Sequence, residues 1–309
     1  MKHFSAPRKP FPIFAQIGIV VVLTVSLAFG LYWGISLVLK RTKNDLSQVD
    51  LLSLWNQADY DGILTATQKV LARRPLKTEA LIFQGFAAFQ KGVGEVSVEK
   101  KLPFLEESII SLRKALLFPS VPLQPQIHYI LGKDYFHKGK FYADLAVEEL
   151  TLAQKEGYIA TDLDEYLGLS YSLVGRYREA AEYFLKAVLT KPSDLLLWTL
   201  GQTYDQMSQY DDAVKYLLKC ISSTHNQALE QKARFLLGSI YTKTKQYGLA
   251  QNEYQSILTT NPSSADAHYY LGEIALAQGS RSAAEIEWRK AFKIDPLHFN
   301  ANQRLFNDK

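Results

Sequence analysis

One cysteine, Cys220, is all the disulfide chemistry that the 309 residues contain. No internal disulfide can form, a lipid-modified N-terminal cysteine is excluded, and the redox compartment is left open. Signatures of catalysis are missing as well: the chain has no HExxH, no GxSxG and no paired cysteines. In GKDYFHKGKFY six residues separate Gly132 from Gly139 and Phe141 follows Lys140, whereas a phosphate-cradling loop needs four residues between its glycines and then Lys-Ser/Thr. Gly92 and Gly94 have no strand before them, which removes a dinucleotide site. These absences give no catalytic residue, no cofactor and no metal site, and a non-enzymatic reading follows.

The net charge of +4 is not spread along the chain. Residues 1–43 hold six Lys/Arg and no acid, which leaves 29 basic against 31 acidic residues, a net of −2, in the rest. The surplus flanks an apolar run and is not a nucleic-acid surface. That run, Ile17 to Leu39, is 23 residues without a charge, about 34 Å of helix, enough to span a bilayer. It continues eleven residues past Ser26-Leu27-Ala28, too long for the apolar region of a cleaved signal peptide. The expectation is a basic tail over 1–12 and an uncleaved transmembrane helix over 13–40. Ser26, Gly30 and Gly34, four apart, would let two such helices approach closely, a route to a homo-oligomer. Lys2, Arg8 and Lys9 on one side balance Lys40, Arg41 and Lys43 on the other, so the positive-inside rule is silent. A basic tail before an apolar run reads as an export signal, which places the remainder on the periplasmic side of a bacterial inner membrane; a cytoplasm-facing array is the alternative.

What the remainder does contain is a repeat. From Gly168, Tyr171 follows at three, Ala180 at twelve, Phe184 at sixteen, Ala187 at nineteen and Pro192 at twenty-four. Gly201 gives Tyr204, Ala213, Leu217 and Cys220 at the first four distances; Gly238 gives Tyr241, Ala250, Tyr254, Ile257 and Pro262; Gly272 gives Ala275, Ala284, Trp288, Ala291 and Pro296. After Gly132 the second half, Ala146, Leu150 and Ala153, comes two residues late, as a lengthened turn would make it. After Gly85 the second half, Ser108, Leu112 and Ala115, is displaced by eleven residues, and an insertion loop is expected over 91–104. Leu51 takes the glycine slot of a degenerate first copy with Trp55, Tyr60 and Pro75. Glycines on one face of a first helix and an Ala-aromatic-Ala stripe on a second describe helical pairs that bury their faces only by stacking.

The Leu-Gly pairs, the aromatic three residues on and the closing Pro resemble the tetratricopeptide repeat. The resemblance implies an all-α, helical-hairpin solenoid, a right-handed superhelix, with about seven copies: 44–77, 78–124, 125–160, 161–193, 194–230, 231–264 and 265–298, closed by a capping helix over 299–309. It also implies that first helices line a concave groove for a peptide or protein partner. The groove positions are three before, one after and four after each glycine. The first gives Ile82, Tyr129, Glu165, Trp198, Phe235 and Tyr269; Phe86 and Lys133 come from the second, Phe89 and Phe136 from the third. Tyr129, Phe136, Trp198, Phe235, Tyr269, Phe86 and Phe89 are thus the candidate partner-binding residues of a membrane-anchored scaffold. A self-assembling subunit of a secretion or motility apparatus is the competing reading. His128 and His268 sit four before a glycine, where packing between helices is expected. Cys220 falls in an alanine slot and is expected to be small and buried.

Overall fold

A computed structural model describes residues 50–307. The proposed membrane span, with Ser26, Gly30 and Gly34, lies outside the described residues, and no helix among the described residues is long and apolar enough to cross a membrane. All regular structure in this span is helical: α1 (Leu51–Asn56), α2 (Tyr60–Arg73), α3 (Thr78–Gly94), α4 (Val98–Ala115), α5 (Gln124–Lys138), α6 (Ala143–Lys155), α7 (Leu163–Leu173), α8 (Tyr177–Thr190), α9 (Asp194–Gln206), α10 (Tyr210–Ser223), α11 (Gln227–Lys243), α12 (Tyr247–Thr260), α13 (Ala265–Ala277), α14 (Arg281–Ile294) and α15 (Phe299–Asn302). A five-residue π-turn, Gln303–Asn307, continues α15 where a capping helix is expected. Two compact units divide after Tyr166. In the first, α2 packs on α3, α3 on α4, α4 on α5 and α5 on α6; in the second, the chain of contacts runs from α8 to α15 in the same stepwise way. Each helix touches its near neighbours, the one-dimensional contact pattern of a stacked repeat.

The spacing of the glycines has a steric cause. A Cβ added to Gly168 would stand 2.6 Å from the Phe184 ring, at Gly201 2.6 Å from Leu217, at Gly238 2.7 Å from Tyr254 and at Gly132 2.5 Å from Leu150. At Gly85 it would meet Leu112 at 2.5 Å, and at Gly272 it would collide with Trp288. Each second helix therefore presses one large side chain into a notch that only a residue without a side chain leaves open. The flanking alanines, Ala180 and Ala187 around Phe184 for example, are buried and bring the two backbones close.

The turn inside the pair is equally regular in six of the pairs. The residue seven after the glycine slot has positive φ: Ala58 (54°), Gly139 (98°), Gly175 (78°), Ser208 (58°), Lys245 (61°) and Gly279 (85°). After Gly139 a short 3₁₀ turn, Lys140–Tyr142, absorbs the two additional residues that delay Ala146.

The pair α3–α4 departs from the expectation of a loop over 91–104. Helix α3 runs on to Gly94, α4 begins at Val98, and only residues 95–97 lie outside helix. Gly92, seven after Gly85, stays helical and buried because it repeats the notch: a Cβ there would come within 2.9 Å of Leu105, itself fully buried. The inserted residues lengthen both arms of the hairpin.

A second pattern ties first to second helix. The residue four before the glycine is basic in three pairs and meets the Glu that precedes the notch-filling side chain: His128 Nδ1 donates to Glu149 at 2.6 Å, Arg234 to Glu253 at 2.8 Å and His268 Nδ1 to Glu287 at 2.7 Å. In two pairs two tyrosines stack in its place, Tyr171 on Tyr183 with centroids 5.5 Å apart and Tyr204 on Tyr216 at 5.6 Å. Cys220 is fully buried, and that burial pushes its thiol up to about 11.

Candidate partner-binding site

The seven aromatic candidates do not share one fate. In the first unit Phe86, Phe89 and Tyr129 are buried. Trp55 of the degenerate first pair covers Phe86, with ring centroids 6.3 Å apart. Tyr129 packs on Tyr158 at 4.7 Å and donates its hydroxyl to Asp162 at 2.6 Å. None of the three presents a free ring, so the groove reading is corrected for them: the first hairpin lies over Phe86, the connection over 157–162 lies over Tyr129, and Lys133 and His137 of α5 lie against Phe89. Phe136 stays partly exposed, edge-on to Tyr166 at 5.2 Å.

At the centre of this region is Lys133, a groove position by spacing. It is 7% exposed, and its ammonium donates to Asp162 at 2.9 Å and to the Tyr129 hydroxyl at 3.0 Å, 4.4 Å from the Tyr166 ring centre and 5.6 Å from that of Phe89. A buried ammonium needs this pairing and the ring faces to offset lost hydration. Burial, with the charges of Lys101 and Lys133, holds His137 down at about 4, so it is neutral at pH 7. One residue from Lys133, Asp134 is wholly buried; burial pushes its carboxyl well up although Ser108 donates to it at 2.6 Å.

In the second unit the three aromatics behave alike. Trp198 on α9, Phe235 on α11 and Tyr269 on α13 are all partly exposed. Phe235 lies 6.2 Å from Tyr270, Tyr270 lies 5.3 Å from Tyr269, and Tyr269 lies 5.3 Å from His298, a run of rings ending at α15. Tyr270 is 39% exposed and adds a ring that helical spacing does not single out. No hydrogen bond holds the Trp198 indole nitrogen, so packing alone keeps that ring. An ion pair borders the run at Tyr269: Arg304 donates to Glu273 through two bonds of 2.8 and 2.6 Å. Among the described residues no group of His, Cys, Asp and Glu could hold a metal ion.

Family models described as tetratricopeptide repeat match residues 167–194, 196–224 and 235–297. This part of the chain is built of tetratricopeptide repeats. The fold of the chain is similar to that of the C-terminal part of a TPR repeat-containing protein from Cytophaga hutchinsonii, with 14% identity, a TM-score of 0.62 and coverage of 82% of this chain and 98% of that one. MamA is similar at 18% identity and a TM-score of 0.50, over 60% and 96% of the two chains. YrrB, described as a TPR protein with an unusual peptide-binding site, aligns at 22% identity and a TM-score of 0.48, over 57% and 88%. Likeness at these identities is likeness of fold. No curated protein matches the chain. The matched tetratricopeptide repeats are those that carry Trp198, Phe235 and Tyr269.

Proposed function

We propose that this tetratricopeptide repeat protein is a non-enzymatic scaffold, anchored in a membrane by residues 17–39, that holds a peptide or protein partner on the first helices of its second unit. The observation that carries the reading is the recurrence of partly exposed rings at Trp198, Phe235 and Tyr269, with Tyr270 beside the last two; Phe235 and Tyr270 are braced by Tyr254, the ring that fills the Gly238 notch, at 6.0 and 5.2 Å. Aromatic anchors of this kind bury large areas at small cost in polar hydration and suit an extended segment or an amphipathic helix. Binding energy concentrates in a few such residues, and truncating one costs about 2 kcal/mol or more. Trp198→Ala should therefore weaken partner capture by about thirtyfold, with smaller losses for Phe235→Ala and Tyr269→Ala. Co-purification from native membranes with wild-type and Trp198→Ala protein tests this; equal recovery by a folded variant places binding elsewhere. The proposal puts the repeats on the outer side of the membrane, so protease added to intact spheroplasts should remove them; cleavage only after lysis would put them in the cytoplasm.

A further inference from the structure

Alternate helices of a hairpin stack run in opposite directions, so the connections from one pair to the next share one edge of each unit. In the first unit two of these connections have an unusual composition. Residues 73–77 read RRPLK and residues 113–118 read RKALLF. Arg73, Arg74, Arg113 and Lys114 are exposed, Lys77 is partly so, and neither segment contains an acid. Between the cations stand Leu76, 54% exposed, and Leu117, 74% exposed. The third connection, 155–162, has Lys155 against Glu156 and Asp162. In the second unit the corresponding segments 190–194, 223–227, 260–266 and 294–298 together hold Lys191 against Asp194, Asp266 and Asp295. Exposed apolar side chains occur at other connections too, Ile159, Leu189 and Leu297 among them; what is confined to the two connections nearest the N-terminus is a pair of adjacent cations, Arg73-Arg74 and Arg113-Lys114, in a segment without an acid.

Asp50, the N-cap of α1, stands at this same edge, because α1 leads away from it towards the turn at residues 57–59. A link of ten residues lies between Leu39, the end of the apolar run, and Asp50, a reach of at most about 40 Å. Lys40, Arg41 and Lys43 begin that link. We infer that the edge formed by residues 73–77 and 113–118 is a membrane-facing surface, on which Arg73, Arg74, Lys77, Arg113 and Lys114 contact anionic phospholipid headgroups and Leu76 and Leu117 enter the interface. The inference rests on the membrane-anchor reading. Basic residues beside a membrane attachment are drawn to anionic lipid over a Debye length, and single exposed leucines among long cationic side chains match the interface, where apolar stems and charged heads separate.

The test uses the full chain in vesicles. Because Cys220 is buried, Leu117→Cys supplies one reactive thiol for a fluorophore, and Val96→Cys, at the opposite edge of the same unit, is the control. Vesicles contain phosphatidylcholine alone or with phosphatidylglycerol, plus a lipid-borne quencher. The expected result is quenching of the Leu117 probe in anionic vesicles only, with the Val96 probe bright in both. Each of Arg73→Gln, Arg74→Gln and Lys114→Gln should lower the contacted fraction's equilibrium by about fivefold, and high salt should release the probe while the protein still floats with the vesicles. Protein that does not float with either vesicle overturns the anchor and this inference with it. Floating protein with an unquenched Leu117 probe, or one quenched equally in neutral vesicles, overturns this inference alone. A probe unquenched in vesicles but shielded in native membranes would assign the edge to an acidic protein and likewise overturn it.

Discussion

At Gly272 the notch is filled by a tryptophan: Trp288 is 2% exposed, and the backbone oxygen of Ala284 stands 3.1 Å from where a Cβ would be. Overpacking of this kind costs about 1–3 kcal/mol, while alanine gains about 1 kcal/mol of helix propensity over glycine. Gly272→Ala should therefore lower the thermal midpoint, whereas Gly248→Ala, with nothing within 4 Å, should raise it; a melt of the full chain in detergent compares the two. Titration offers a second residue-scale test. His137 is held at about 4 by burial, below the unfolded value of about 6.5, so its contribution is complete above that value and is lost as pH falls towards 4. His128 is raised by its bond to Glu149, so its contribution is present at low pH and is lost as pH rises through the raised value. The buried Asp134 carboxyl, pushed well up, has the opposite sign and adds stability as pH falls through its raised value, so the His137 share is read by difference: urea titrations at several pH values should show that His137→Gln loses less stability than the wild type as pH falls towards 4. The glycine-to-notch spacing was legible in the sequence because it follows from helix period and turn length. The burial of Tyr129 and Lys133 was not, because Asp162 lies 33 and 29 residues away on a connection outside the repeat spacing.

At the scale of elements, the left-handed turn residue is the most uniform feature of the hairpins, and three copies place it on Ala58, Ser208 or Lys245. A side chain in that conformation costs about 1–2 kcal/mol, against about 0.5–1 kcal/mol of extra unfolded-state freedom for glycine. Lys245→Gly should therefore stabilise the chain by about 0.5–1 kcal/mol, read as a raised urea midpoint at unchanged slope; a drop would mean that the Lys245 side chain makes a contact worth more than the strain. The pairings of His128, Arg234 and His268 with glutamates follow a fixed pair of positions, four before the glycine and one before the notch-filling residue. Two of these residues stood out in the sequence as equivalent histidines, but a histidine and an arginine in one slot do not look alike until their shared carboxylate partner is seen. The expected loop over 91–104 failed for a related reason: added length in a hairpin is read as loop unless a second notch, here Gly92 against Leu105, shows that the two arms remain packed.

For the whole molecule, stepwise contacts make stability a property of neighbours. Helix α1 has six residues and no glycine in its notch slot, whereas the pairs from Gly201 to Ala291 keep the full packing. Amide exchange should be faster over 51–70 than over 201–291, and uniform protection would contradict a nearest-neighbour array. The helical class and the glycine spacing of the second unit could be read from the sequence alone; the first unit could be read only in outline, since its lengthened turn, longer hairpin and buried charges are departures from the pattern. The longer hairpin has a practical use. Residues 95–97 join the two arms of α3–α4 with Val96 97% exposed, and everything that fixes the register of that pair lies on the near side of them. Foreign sequence spliced in at Val96 would hang from the array like a pennant from a mast, so this tip is the natural port for an affinity tag or a fluorescent domain.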